Sequence, residues 1–354
     1  MTSPWQPGQL LFAGFEGKKV PSELATLIEQ GRVGGVILFT RNLGDPRHVA
    51  GLVRELRRLA PERAPLTVAI DQEGGRVQRF RAPWTQWPPM RQLGDVDDLE
   101  LTRAFGSALA LELTHLGIGL DFAPVMDVDT NPANPVIGDR SFGADAARVA
   151  AHGAALIERL QSLKIAACAK HFPGHGDTHQ DSHHALPRLP HDLERLRQVE
   201  LLPFRAAAQA KVAAMMSAHV VFEALDPKRP GTLSPPVMHL IREEIGFEGL
   251  VFSDDLEMKA IADHYGPKQF VGGALEAGVD ALLVCRKLDL VQETLARLEA
   301  LPDPTVERAI ERMVAFKDAF PPPPLPDPAA PPPAPYAEHE ALAQRIADGL
   351  PLSR

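Results

Sequence analysis

Eight short apolar runs, spaced out along the chain by longer segments of mostly helical character, set the narrowest limit on what this sequence can fold into. They lie at 10–15, 35–39, 66–70, 120–124, 165–169, 213–217, 250–253 and 281–285. Helix-like stretches fall between them at 22–30, 46–59, 99–116, 145–163, 192–209, 235–245 and 269–277. Strands that must wait for a helix pair in parallel, and runs that are apolar throughout belong to a sheet covered on both faces. The class is therefore α/β. A (β/α)8 barrel of the TIM type is the economical closure, with a doubly wound open sheet as the alternative that periodicity alone does not separate. The chain has 354 residues, room for one barrel of about 250 residues with additions. The expected division is a catalytic barrel over 1–301 and a C-terminal extension over 302–354. That extension holds a helix near 306–320, a proline-rich strap at 321–335 and a short helical tail.

A barrel makes an internal test available, because its chemistry sits at the C-terminal ends of its strands. Polar, chemically capable segments should follow the apolar runs, and they do. DQEGGRVQRF (71–80) follows the third run, a long segment containing GDRSFG (138–143) the fourth, and KHFPGHGDTHQDSHHALP (170–187) the fifth. SAHV (217–220) ends the sixth and SDDLEM (253–258) the seventh. The residues just before the runs are duller, with Asp280 the main exception.

The segment after the fifth run is the densest in titratable groups, with His171, His175, His179, His183, His184, Asp177 and Asp181. Histidines four apart could share a helix face and hold a metal, but Pro173, Gly174 and Gly176 argue against a continuous helix, and no metal or other cofactor is expected. A solvated polar loop is the plain alternative. The chemical reading takes Asp181 and His183, two apart, as a pair in which the carboxylate fixes the imidazole tautomer and favours its protonated form. In SDDLEM, Asp254 and Asp255 sit together at a strand end. Neighbouring strand side chains point to opposite sides, so only one of the two, either one on spacing alone, should face the opening, and Asp255 also suits a helix cap.

The net charge of −9 and the absence of a basic stripe exclude a nucleic-acid binder. Arg54, Arg57 and Arg58 form the clearest basic cluster, read as a solvated helix face. No stretch is long enough to span a membrane, and the N-terminus lacks a signal-peptide pattern, so a cytoplasmic location is expected. Cys168 and Cys285, the only cysteines, fall within predicted strands, where a thiol is usually a small core residue. The oligomeric state is not legible.

KHFPGHGDT followed by DSH resembles the bacterial β-N-acetylhexosaminidases of glycoside hydrolase family 3, single-domain type, and the other motifs match the same family. The resemblance covers roughly 10–301. It implies a retaining exo-β-N-acetylglucosaminidase acting on cytosolic peptidoglycan (muropeptide) fragments in cell-wall recycling, with a small carbohydrate as its partner. By position it assigns Asp254 as nucleophile, His183 as general acid/base and Asp181 as the residue orienting His183. Asp71, Arg79, Arg140, Lys170 and His171 become sugar contacts. Taken on spacing alone, Arg140 could instead pair with Asp139 or Asp127, and Arg76 with Glu73. Larger family members take their acid/base from an additional domain, for which this chain has no room, so the histidine loop is expected to close over bound sugar and bring His183 into reach. A phosphorylase, in which phosphate replaces water, and a silenced sugar-binding barrel are the two rival functions. The whole assignment requires Asp254 to share one cavity with Asp71 and Lys170.

Overall fold

The computed structural model describes residues 5–179 and 186–352. Eight parallel strands close into a barrel in chain order. They are β1 (Leu11–Ala13), β2 (Gly35–Leu38), β3 (Thr67–Ile70), β4 (Leu120–Asp121), β5 (Ala166–Phe172), β6 (Ala214–Ser217), β7 (Leu250–Asp255) and β8 (Ala281–Val284). Each overlaps the apolar run that predicted it. All their residues are buried apart from the last two of β7, as expected when side chains fill the barrel on one face and helices cover the other.

Aromatic rings fill the axis. Phe12 and Phe122 both meet Phe252 edge-on, at 4.9 and 5.2 Å between centroids, contacts worth about 0.5–1.5 kcal/mol each beyond the area buried. Gly35 is required there, because a Cβ on it would lie 2.2 Å from the Phe12 ring. Several outer helices start where an aspartate caps them: Asp45 accepts from the His48 amide, Asp145 from Arg148 and Asp192 from Arg195. Such caps contribute about 1 kcal/mol each.

The floor of the barrel, at the strands' N-terminal ends, is tied by two buried titratable groups. Asp280 accepts from Arg242 at 2.6 Å, Arg312 at 2.9 Å and the Val251 amide at 2.8 Å. Lys317, on the helix Asp303–Ala319, reaches Gln9 Oε1 and the carbonyls of Gly34 and Pro65 at 2.7–2.9 Å.

The proline-rich strap corrects one expectation. Arg54 and Arg57 do not form a solvated face; their guanidinium groups donate to the carbonyls of Pro326 and of Pro323 and Pro324. A proline-rich segment has few amides to offer, so its carbonyls need outside donors, and these arginines supply them. Arg58 alone stays exposed. The strap delivers the helix Ala337–Ala347 to the helix Leu99–His115. There His339 Nδ1 meets the buried Glu112 at 2.7 Å, and His115 meets the Tyr336 hydroxyl at 2.9 Å.

Candidate active site

The functional side chains leave the strand ends as the barrel test requires. Asp71 follows β3 directly. Beyond it the chain makes a small hairpin, Gln72–Gly74 with Val77–Gln78, that the sequence reading did not anticipate. Gly74 and Gly75 turn it at φ of +103° and +56°, a region open to glycine at little cost. Asp121, at the end of β4, accepts the Gln72 amide at 2.9 Å and so fixes the start of the hairpin.

Five charged side chains from three strand ends then interlock. Lys170 Nζ donates to Asp71 Oδ1 at 2.9 Å and contacts Glu73 Oε1 at 2.6 Å. Arg79 reaches the other Asp71 oxygen at 2.7 Å. Arg140 grips Glu73 with two parallel bonds of 2.8 Å, the bidentate geometry in which arginine is strongest. Arg140 therefore pairs with neither Asp139 nor Asp127. Arg76 does not pair with Glu73 either; it bonds Asp139 at 3.1 Å and the carbonyls of Val136 and Ile137. The reason is reach across the mouth: the hairpin turns Glu73 toward Arg140, a partner 67 residues away that local spacing cannot reveal.

Burial opposes ionisation throughout this cluster, and pairing wins. The Asp71 carboxyl would rise on burial, but Lys170 and Arg79 hold it well below the usual range. Arg140 and Lys170 likewise bring Glu73 down to about 2 against its own burial. Lys170 is 2% exposed, yet its two carboxylates keep it above the ordinary lysine value.

His171 is oriented by a residue that went unassigned. Asp127, fully buried, meets His171 Nδ1 at 2.7 Å and also accepts the His175 amide at 2.7 Å. The histidine loop is docked as far as His179. Asn134 donates to the carbonyls of His175 and Gly176, Asn131 to that of Thr178, and a Cβ on Gly176 would sit 1.8 Å from the Val128 carbonyl oxygen. The asparagines that precede Pro132 and Pro135 thus clamp the base of this loop. Asp181 and His183 lie outside the described residues.

Asp254 and Asp255 both border the cavity, contrary to strict alternation. The pairing of β7 with β8 shifts register between Phe252 and Asp255, and an irregularity of that kind re-aims side chains. Asp255 is not a helix cap: its Oδ1 accepts the amides of Glu257 and Cys285, and the next helix starts only after Met258. Electrostatics separates the two carboxyls. Burial pushes Asp255 up to about 7, with Glu257 and Asp254 adding repulsion. Asp254, although burial opposes it, is drawn below the usual carboxylate range by His219, His171 and the Asp255 amide. Neighbouring carboxyls with split pKa values mark different roles. His219, from SAHV, is held beneath them, Nε2 donating to the Asp255 carbonyl at 3.2 Å and Nδ1 meeting Thr232 Oγ1 at 2.8 Å. Its position after a strand was the only signal for it.

Asp71, Glu73, Arg79, Arg140, Lys170, His171 and Asp254 all line one cavity of about 550 Å³, within the range of small-ligand sites. Cys168 and Cys285 are buried and unpaired with each other. Among the described residues, no group of three or more potential ligands is placed to hold a metal, and no helix is long and apolar enough to cross a membrane.

Fold and site together define a (β/α)8 barrel whose mouth holds a charged, buried cradle beside a carboxyl drawn below its usual range. Comparison with known proteins places it more closely. A family model described as the glycosyl hydrolase family 3 N-terminal domain matches residues 6–316, and the chain belongs to that family. A "Beta-hexosaminidase" of Thiobacillus denitrificans is 43% identical over 273 residues, 75% of each chain. Among solved structures, a family 3 β-N-acetylglucosaminidase from a Paenibacillus strain superposes with a TM-score of 0.89 at 39% identity, over 97% of this chain and 68% of that one. NagZ from Neisseria gonorrhoeae, in complex with N-trifluoroacetyl-D-glucosamine, gives 0.80 at 31% identity over 98% and 99%.

Proposed function

We propose that the chain is a retaining, exo-acting β-N-acetylglucosaminidase that removes terminal N-acetylglucosamine from muropeptide fragments in the cytoplasm during cell-wall recycling. Asp71, Arg79, Arg140, Lys170 and His171 hold the sugar. Asp254 attacks: its carboxylate oxygen bonds to the anomeric carbon as the glycosidic bond breaks, and the departing oxygen takes a proton from His183, which Asp181 orients. His183 then removes a proton from water, and that water opens the ester with net retention. The single observation supporting this reading most is the separation of the two carboxyls, because a nucleophile must be ionised and Asp254 is the one held so, in the same cavity as the sugar cradle.

The relatives named as β-N-acetylglucosaminidase and β-hexosaminidase, and the glucosamine derivative bound by the Neisseria protein, support the choice of sugar. The test is to trap the intermediate with a fluorinated N-acetylglucosaminide and map the adduct by mass spectrometry. The label should fall on Asp254, and a label on Asp255 or none at all with turnover intact counts against the assignment. In His183→Ala, substrates with good leaving groups should lose less activity than natural glycosides, since protonation matters less for them.

A further inference from the structure

The strand that carries Asp254 loses its regular pairing just before that residue. Toward β6 the ladder of β7 stops at Phe252, paired with Met216. Toward β8 it slips between Phe252, opposite Ala281, and Asp255, opposite Leu283, so β7 fits one residue more than its neighbour. A bulged stretch of this kind lacks part of its ladder, and its backbone groups need other partners. On the β6 side those partners are side chains, and the mechanism proposed above uses none of them.

Ser217 Oγ lies 3.1 Å from the Phe252 carbonyl and His219 Nε2 3.2 Å from that of Asp255. These two carbonyls bracket the stretch that holds Asp254. A carbonyl only accepts, so Nε2 carries a hydrogen whatever the charge on the ring. The Asp255 carbonyl also accepts the Met258 amide at 3.2 Å, a bond to the next turn of chain; the imidazole ties it back to β6. One hydroxyl joins the two side chains: Thr232 Oγ1, on the short turn Gly231–Leu233, is 2.8 Å from His219 Nδ1 and 3.0 Å from Ser217 Oγ. A hydroxyl can donate or accept, so Nδ1 stays engaged whether bare or protonated. Phe270 meets the imidazole edge-on at 5.8 Å between centroids. Ser217, His219 and Thr232 are fully buried, where leaving a polar group unpaired is costly. The Asp254 carboxylate accepts the Asp255 amide at 2.8 Å, so its orientation follows the backbone of residue 255.

Resting on the glycosidase reading above, we propose that His219, held by the Thr232 hydroxyl, is a positioning residue for the nucleophile. It stands in for a ladder bond on the β6 side of Asp255 and thereby keeps Asp254 in place on the cavity wall. His219 exchanges no proton or bond with the sugar; its effect passes through the backbone that follows Asp254. It serves the attack on the anomeric carbon and not the departure of the leaving group.

The experiment compares His219→Gln with His219→Asn in the full-length protein, on the 4-nitrophenyl and benzyl N-acetyl-β-glucosaminides, a good and a poor leaving group. A glutamine amide can take the place of Nε2 and donate to the Asp255 carbonyl; an asparagine amide reaches only the place of Nδ1. His219→Asn should lose about 10²-fold in kcat/KM and His219→Gln about tenfold or less, since small misplacements of a reacting group cost rates of this order. The loss should be the same on both glycosides, and the Kd of N-acetylglucosamine, measured by calorimetry, should stay within about twofold of wild type. Thr232→Val, which keeps the shape and removes the hydroxyl, should lose about tenfold in kcat/KM, and it carries the test should a variant at 219 fail to fold by circular dichroism. Equal losses in the two position-219 variants, wild-type turnover in His219→Asn or in Thr232→Val, or a loss that lies in the Kd overturns the proposal. A loss confined to the benzyl glycoside overturns it too, because it would move His219 to the proton-donating arm. Hydrolysis of neither glycoside by the wild-type protein refutes the glycosidase reading itself, a result distinct from all of these.

Discussion

The two ends of the barrel each bury a lysine, and the contrast between them shows what marks a site. Lys170 at the mouth is 2% exposed and Lys317 at the floor 4%. Lys170 faces two carboxylates, which hold it above the ordinary lysine value despite burial. Lys317 faces neutral oxygens and, at 5.5 Å, the Trp5 ring, and burial brings it down to about 7. Burial alone therefore does not set the protonation of a lysine; the charge of its partner does. Their linkage to pH has opposite sign. Lys170, raised in the folded state, lends stability that is complete below 10.5 and is lost as pH climbs through its folded value. Lys317, lowered in the folded state, is protonated in the unfolded chain and deprotonated in the folded one between about 7 and 10.5, so stability grows with pH in that window.

The comparison can be broken most sharply at the mouth. Asp254→Asn should reduce kcat/KM on an aryl N-acetylglucosaminide on the order of 10⁴-fold, with little change in the thermal midpoint; turnover near wild type would remove Asp254 from the chemistry. Lys170→Met should reduce kcat/KM by about 10²-fold or more and also cost about 3 kcal/mol in urea unfolding, because Asp71 and Glu73 lose their shared cation. At the floor, Asp280→Ala should cost a similar amount, since Arg242 and Arg312 lose their buried counter-ion, while kcat/KM stays within about twofold. A large activity loss there would abolish the distinction between the ends. Lys317→Met is the gentlest change. Orphaning the Gln9, Gly34 and Pro65 oxygens should cost about 2 kcal/mol, and the rise in stability between pH 7 and 10 should flatten. An undiminished rise would assign that slope to another group.

The barrel was readable because buried parallel strands are continuous apolar runs, and the strand-end motifs because such barrels place chemistry at one rim. What escaped the sequence was contact across distance. Glu73 and Arg140 are far apart in the chain, and Asp127 looked like one more loop acid until the fold set it under His171. The hairpin at Gln72–Gly74 is too short and polar to show a period, and the helix Met90–Val96 too brief, with Gly94 inside it. The split between Asp254 and Asp255 depends on a register shift in β7 that no spacing encodes. For the acid/base pair, the reading still rests on the DSH motif.

The docked tail has a mechanical consequence. The His339 ring lies 5.9 Å from the Trp87 ring, and the Trp87 backbone is bonded to the turn of the hairpin that carries Glu73, at Gly75, and to its second limb, at the Gln78 side chain. The docked tail helix and the charged cradle at the mouth are thus a few contacts apart. A proteolytic nick in 321–335, or a bulky fusion that pries the last helix away, would be felt as weaker binding in the proposed sugar site before the barrel itself loosened.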